Sequence, residues 1–310
     1  MRKVNTYNFL ILSILFFMLF SGCEQMNISD QTDYVDTLDV KQKTMAVSDE
    51  YLMNTAINEG LMDAIEVNDA FKNNGPFWVM DHPDIICGAT VTVYPKVGNN
   101  SPVTIQYKDT ICNTKSRKGR IELLIPDNPP PPEPAATYFS AVFNGFSYTA
   151  NENTVLISGS NTTKKVAEKV DEFTVGIRSL FNASVNGSGA ITRKDNYKLT
   201  ISKNNPPQIQ MEGDSLLGSR AGAAYSCTNR FGLTDTVSVS TAMIFNYCNG
   251  INAIPVSGIC TEYSAGSTVA ITYGVGNDKA ILNNCSAYGY SMIWTKKDYK
   301  PVNIIVEYVK

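Results

Sequence analysis

From residue 87 onward the chain alternates between apolar and polar positions, and before that it does not. The stretches A-T-V-T-V-Y (89–94), V-T-I-Q-Y (103–107), R-I-E-L-L-I (120–125) and Y-F-S-A-V-F (138–143) have the two-residue period of a half-buried strand. So do T-V-L-I-S (154–158), F-T-V-G-I (173–177), Y-K-L-T-I-S (197–202), T-V-S-V-S (236–240), V-A-I-T-Y (269–273) and N-I-I-V-E-Y (303–308). Turn residues such as Asn144-Gly145, Asn186-Gly187 and Asn249-Gly250 separate them. Many short strands with Gly/Asn turns predict a mainly β fold of one or two β-sandwich-like modules.

An amphipathic helix is predicted ahead of the strands. Leu52, Ile57, Leu61, Ala64, Ile65 and Phe71 recur at helical steps, and Ser48 stands where a cap belongs, with Asp49 and Glu50 in the first turn. The expected helix covers about residues 49–71. Gly60 lies inside it and weakens it by about 1 kcal/mol relative to alanine.

The first residues read as an export segment. Arg2 and Lys3 precede a twelve-residue apolar run, 9–20, broken only by Ser13. That length suits a signal h-region of about 7–15 residues and falls short of the roughly 20 needed to span a bilayer. Phe20-Ser21-Gly22-Cys23 resembles a bacterial lipobox, although Phe20 stands where leucine is usual. The resemblance implies lipidation of Cys23, and Glu24 after it implies the outer membrane. Multiple acyl chains, each buried methylene adding about 0.8 kcal/mol, anchor a protein without a spanning helix. The expected division is a signal peptide (1–22), a flexible acidic tether (23–46), a helical segment (47–86) and two β modules (87–210 and 211–310). The run P-D-N-P-P-P-P-E-P (126–134) cannot lie inside a sheet and reads as a spacer or a long exposed loop.

Composition narrows the function classes. A net charge of −3 argues against nucleic acid as a partner. Setting Cys23 aside leaves Cys87, Cys112, Cys227, Cys248, Cys260 and Cys285, an even set suited to disulfides in an exported chain. If 89–94 and 103–107 form a hairpin turning between Asn99 and Asn100, facing positions sum to 199. Cys87 and Cys112 then lie opposite each other, since 87 + 112 = 199. For the other four, Cys248 with Cys260 and Cys227 with Cys285 is one arrangement among those open. No C-x-x-C pair exists, the single histidine, His82, is far in sequence from the C-terminal cysteines, and no metal or cofactor site is expected. Motifs for nucleophilic, metal-dependent or phosphate-binding chemistry are missing as well. Lys115, Arg117, Lys118 and Arg120 form a short basic cluster, read either as a solvated strand edge or as a site for an anionic glycan or phosphate.

Cys87 with A-T-V-T-V, T-I-Q-Y-K-D-T-I-C (104–112) and R-K-G-R-I (117–121), and later P-V-S-G (255–258) and T-Y-G-V-G-N-D-K-A (272–280), are similar to an uncharacterised group of Bacteroidota outer-membrane lipoproteins. Members carry a C…T-I-D-F-G…C…R-K-G-K-I segment. This chain has Gln106, Tyr107 and Lys108 where the group tends to have Asp, Phe and Gly, so no role of that aspartate carries over. The resemblance implies that the proline run is an inter-strand loop, and it implies no activity. The expected function is a lipid-anchored, non-enzymatic envelope module binding a glycan or protein. The alternatives are a carboxylate-dependent hydrolase of envelope polymers and a surface-fibre subunit.

Overall fold

The computed structural model describes residues 34–112, 114–127, 137–202, 207–217, 220–248 and 252–308. Cys23, the signal segment, the tether as far as residue 33 and residues 128–134 of the proline run lie outside the described residues. Two helices come first, α1 (Thr37–Asn74) and α2 (Pro76–Asp81). Then follow β1 (Ala89–Val93), β2 (Asn100–Tyr107), β3 (Ile111–Cys112), β4 (Lys115–Pro126), β5 (Thr137–Ala150), β6 (Asn153–Glu168), β7 (Glu172–Val185) and β8 (Ile191–Ser202). The remainder comprises β9 (Gln208–Gly213), β10 (Ser215–Leu217), β11 (Arg220–Thr228), β12 (Thr234–Cys248), β13 (Asn252–Tyr263), β14 (Ser267–Val275), β15 (Gly289–Lys296) and β16 (Val302–Glu307). The chain is mainly β, with a helix before the strands.

All sixteen strands belong to one antiparallel sheet, in the order β1-β2-β4-β5-β6-β7-β8-β11-β12-β13-β14-β15-β16. β3 adds to β4 and β10 to β11. β9 and β11 share the space between β8 and β12. β11 pairs with their 192–195 and 234–238 stretches, and β9 with 197–201 and 243–246. Strands from 87–210 and from 211–310 thus lie in one sheet, and β9 crosses that boundary. The proline run joins β4 to β5, which pair directly with each other, Leu124 opposite Ser140.

Period-two alternation sets the faces. On β8, Ile191, Arg193, Asp195, Tyr197, Leu199 and Ile201 are buried, while Thr192, Lys194, Asn196, Lys198 and Thr200 face outward. The inner face curls around α1. Tyr51 of α1 stacks on Tyr308, just past β16, at 5.3 Å, and it also lines a small space with Tyr148 of β5. Lys115 of β4 lies 6.0 Å over the ring of Tyr247 on β12, although β5 to β8 and β9 or β11 intervene in the sheet. The helix is therefore the filling of a sandwich-like arrangement.

The helix departs from expectation in two ways. It starts at Thr37, so the segment 37–46, read as tether, is helical. The cap is Asp36, whose carboxylate accepts from the Asp39 backbone N–H at 3.1 Å, rather than Ser48. Asp36 is held below the usual carboxylate range by its hydrogen bond from Lys296. The apolar stripe is buried except for Leu52, which is half-buried, but so are Lys43, Asp49, Glu50, Asn54, Asn58, Glu59, Asp63 and Asn68. Among the described residues, no helix is long and apolar enough to cross a membrane.

Gly60 has a packing reason. A Cβ there would meet Phe143 Cε1 at 2.6 Å and Ile121 Cδ1 at 3.1 Å, both on buried side chains. Gly60→Ala gains about 1 kcal/mol of helix propensity and loses about 1–3 kcal/mol to overpacking. The expected result in urea titration is a net destabilisation of up to about 2 kcal/mol by that difference.

Candidate functional site

Two clusters of charge sit along α1, both between helix and sheet. The first lies toward its N-terminal half. Lys43 pairs with Asp235 of β12, each side chain at most 1% exposed. Asn229, in the β11–β12 turn, donates from Nδ2 to Asp235 Oδ2 at 3.2 Å. Arg230 grips Asp49 with both Nε (2.6 Å) and a terminal nitrogen. Arg193 of β8 donates to Asp195 Oδ1 at 2.5 Å and to Asn54 Oδ1 at 2.7 Å, and its guanidinium lies 3.7 Å from the centre of the Tyr225 ring.

Glu50 and Glu262 of β13 complete this cluster. Acceptor atoms of Glu50, Asp235 and Glu262 come within 4.8 Å of one another, all buried. Lys43 is taken by Asp235 and Arg193 by Asp195, so neither glutamate has a cation of its own. Both Glu50 oxygens and Glu262 Oε2 are buried without a hydrogen-bond partner of normal geometry. Burial pushes the Glu50 carboxyl up to about 7, against the pull of Arg193. Burial, and next the neighbouring Glu50 charge, hold Glu262 well above the usual range. Protonation of the pair balances the cluster.

The second cluster forms a cavity of about 530 Å³ beside the C-terminal half of α1. Glu59, Asp63, Glu66 and Asp69 project into it at helical spacing, faced by Lys115 and Arg117 of β4, with Ile85, Phe173 and Ile201 as an apolar wall. Glu59 receives Lys115 Nζ at 2.5 Å. Asp63 receives Arg117 and the Tyr107 hydroxyl, the latter at 2.7 Å. Burial raises Glu59 and Asp63 despite these cations, and it raises Glu66, with Asp63 adding to the effect. Glu59 Oε1 is buried and unpartnered, and Glu66 has no ion pair among the described residues. Four carboxylates against two cations leave the lining two formal charges negative.

The basic cluster read from sequence is divided by the pleat of β4. Lys115 and Arg117 point inward and are buried in ion pairs, whereas Lys118 and Arg120 point outward and pair with Asp109 and Glu122. The four do not make one anion-binding patch, because alternate strand residues face opposite sides. His82 ends α2, with its exposed ring stacked on Trp78 at 4.1 Å.

Cys87 and Cys112 are disulfide-bonded, with Cα atoms 6.1 Å apart. The register differs from the one deduced above: Ala89 faces Tyr107 and Val93 faces Val103, so facing positions sum to 196 rather than 199. The ladder ends at Tyr107, and the chain bends into β3 before reaching Cys112, which makes up the difference. The bridge borders the cavity, and the Cys87 carbonyl accepts from Arg117 at 2.7 Å. Cys248 bonds to Cys285, while Cys227 and Cys260 are free and buried, which corrects both of the other suggested pairs. Cys227 faces Asp235 and Cys260 faces Val239 on opposite sides of β12. Those partners are four residues apart, about 13 Å along the strand, well beyond disulfide reach.

No family model matches the chain, and no curated protein or solved structure matches it.

Proposed function

We propose that this chain is a lipid-anchored outer-membrane protein of the cell envelope, a binding module whose ligand site is the cavity beside α1. The resemblance of residues 20–23 to a lipobox supports the anchor. The observation that carries the binding reading is the Glu66 carboxylate, which has no ion pair among the described residues, lining the cavity together with an apolar wall. Such a surface suits a ligand with a positive group and an apolar face, such as an aminated glycan. The anionic ligand suggested by the basic cluster fits less well, because Lys115 and Arg117 are already committed to Glu59 and Asp63.

The hydrolase reading rests on the same acids. Glu59 and Asp63 are engaged by cations, which leaves Glu66 and Asp69, one turn apart on one helix. Glycoside hydrolysis places its two carboxyl groups on either side of the scissile bond. Two acids on one side of a ligand fit recognition better.

Calorimetric titration with chitosan oligomers, and with N-acetylated oligomers of equal length, tests the reading. Binding of the charged series alone is expected. Glu66→Gln removes a charge-assisted contact of about 1.5–3 kcal/mol and should weaken it roughly tenfold or more. Equal binding of both series, or no effect of the substitution, contradicts the reading.

A further inference from the structure

We propose that Lys43 and Asp235 become joined by an intramolecular isopeptide bond, formed by the folded protein itself, which ties α1 to β12. The geometry supplies the parts such a reaction needs. The nucleophile and the acyl group are in contact, and both are fully buried, although 192 residues separate them in the chain. Asn229 donates to Asp235 Oδ2, where it can hold the oxygen that becomes the amide carbonyl. Glu50 and Glu262 stand beside Asp235, their acceptor oxygens within 4.8 Å of one another and of an Asp235 oxygen. A cavity of about 330 Å³, lined by Lys43, Asp39, Gln42, Thr234 and Ser264, leads away from the pair.

The balance is simple. The Lys43 ammonium gives up a proton to Asp235 Oδ1, which it contacts, and its nitrogen lone pair attacks Cγ of Asp235. A C–N bond forms and the Cγ–Oδ1 bond breaks. Oδ1 takes up two protons in all, one from the former ammonium and one relayed through the glutamate pair as the nitrogen loses its second, and leaves as water. One ammonium and one carboxylate become one amide and one water, with no oxidant, reductant or cofactor. Burial favours this outcome, because it replaces two charges taken out of water with a neutral group. Fixed contact between the partners supplies an effective concentration of roughly 10⁵ M or more. Burial keeps protons on the two glutamates, as a proton relay requires.

Peptide mapping of the purified full-length chain by mass spectrometry tests the proposal. The expected product is a branched peptide joining the Lys43 and Asp235 segments, lighter than their sum by one water, with protease cleavage blocked at Lys43. Unlinked Lys43 and Asp235 peptides in its place overturn the proposal, as does a branch joining Lys115 to Glu59 instead. In the Glu50→Gln/Glu262→Gln chain, refolded from urea, bond formation should slow by about a hundredfold, the usual scale of general acid–base assistance. An undiminished rate there overturns the role of the two carboxyl groups. Each single variant is measured beside the double one, so the assignment rests on the chains that fold.

Discussion

Arg193→Ala is expected to destabilise the protein by about 3–5 kcal/mol, the usual consequence of stranding a buried charge. Arg193 is 0% exposed and is the only cation paired with the equally buried Asp195 among the described residues. Its removal leaves that carboxylate in the core with a neutral donor, the Ser179 hydroxyl, and takes the Arg193 donor away from Asn54 Oδ1. Against a typical domain stability of about 5–15 kcal/mol, this is a third or more of the total in a weakly stable case. The midpoint of urea unfolding reads it. Arg178→Ala, at an exposed position on the neighbouring strand β7, should stay within about 0.5 kcal/mol of wild type. Adding Asp195→Asn to Arg193→Ala should recover part of the loss, because the stranded charge and not the lost volume is the main cost.

Stability should fall as pH rises from about 4.5 to about 7 and beyond, opposite to a protein held by ionised surface carboxylates. Glu50 has an ordinary value of 4.5 and a folded value of about 7. Between these the folded state binds more protons than the unfolded state, so unfolding free energy decreases with pH. The contribution is fully present below 4.5 and is lost as pH passes through the folded value, amounting to a few kcal/mol for a shift of this size. Glu262, Asp49, Glu59 and Asp63 are raised as well, each chiefly by burial, and act with the same sign. Asp36, held low by its hydrogen bond from Lys296, acts in the other direction at lower pH. Urea midpoints at pH 5 and pH 8 measure the effect. Glu50→Gln, which imitates the neutral acid, should flatten the dependence. A midpoint that rises with pH over this interval contradicts the account.

Much of the sheet is legible in the sequence because its strands alternate, as β8 does from Ile191 to Ile201. β13 is not legible, since Pro255 and Gly258 interrupt its alternation. In the fold Pro255 lies beside a register shift in the β12–β13 ladder, and Gly258 has φ 129° where a Cβ would meet Met243 Cα at 2.6 Å. β15 carries Tyr290, Met292 and Trp294 inward, a pattern of mixed residue types that is easily passed over. The clusters along α1 were hidden for a different reason. Hydropathy treats Lys43, Glu50, Glu59 and Asp63 as solvent-facing, because charged residues are almost never fully buried without partners. Their partners Asp235, Glu262, Lys115 and Arg117 lie on distant strands, so no local spacing reveals the pairs. For the same reason the first turns of α1 looked like tether: they bury Lys43 and present Asp39 to the Trp294 indole N–H at 3.1 Å, and neither adds an apolar period.

α1 is the core of this protein rather than an appendage to a β body. Twenty-two of its residues are buried, polar ones included, and strands from β2 to β15 supply their partners. Hydrogen–deuterium exchange along α1 in the intact chain measures this most directly. The account predicts that backbone amides from about Ala46 to Phe71 exchange only through global unfolding, as slowly as those of the central strands β7 and β8. Exchange of that helix at the rate of frayed or peripheral segments, while the sheet stays protected, would contradict it.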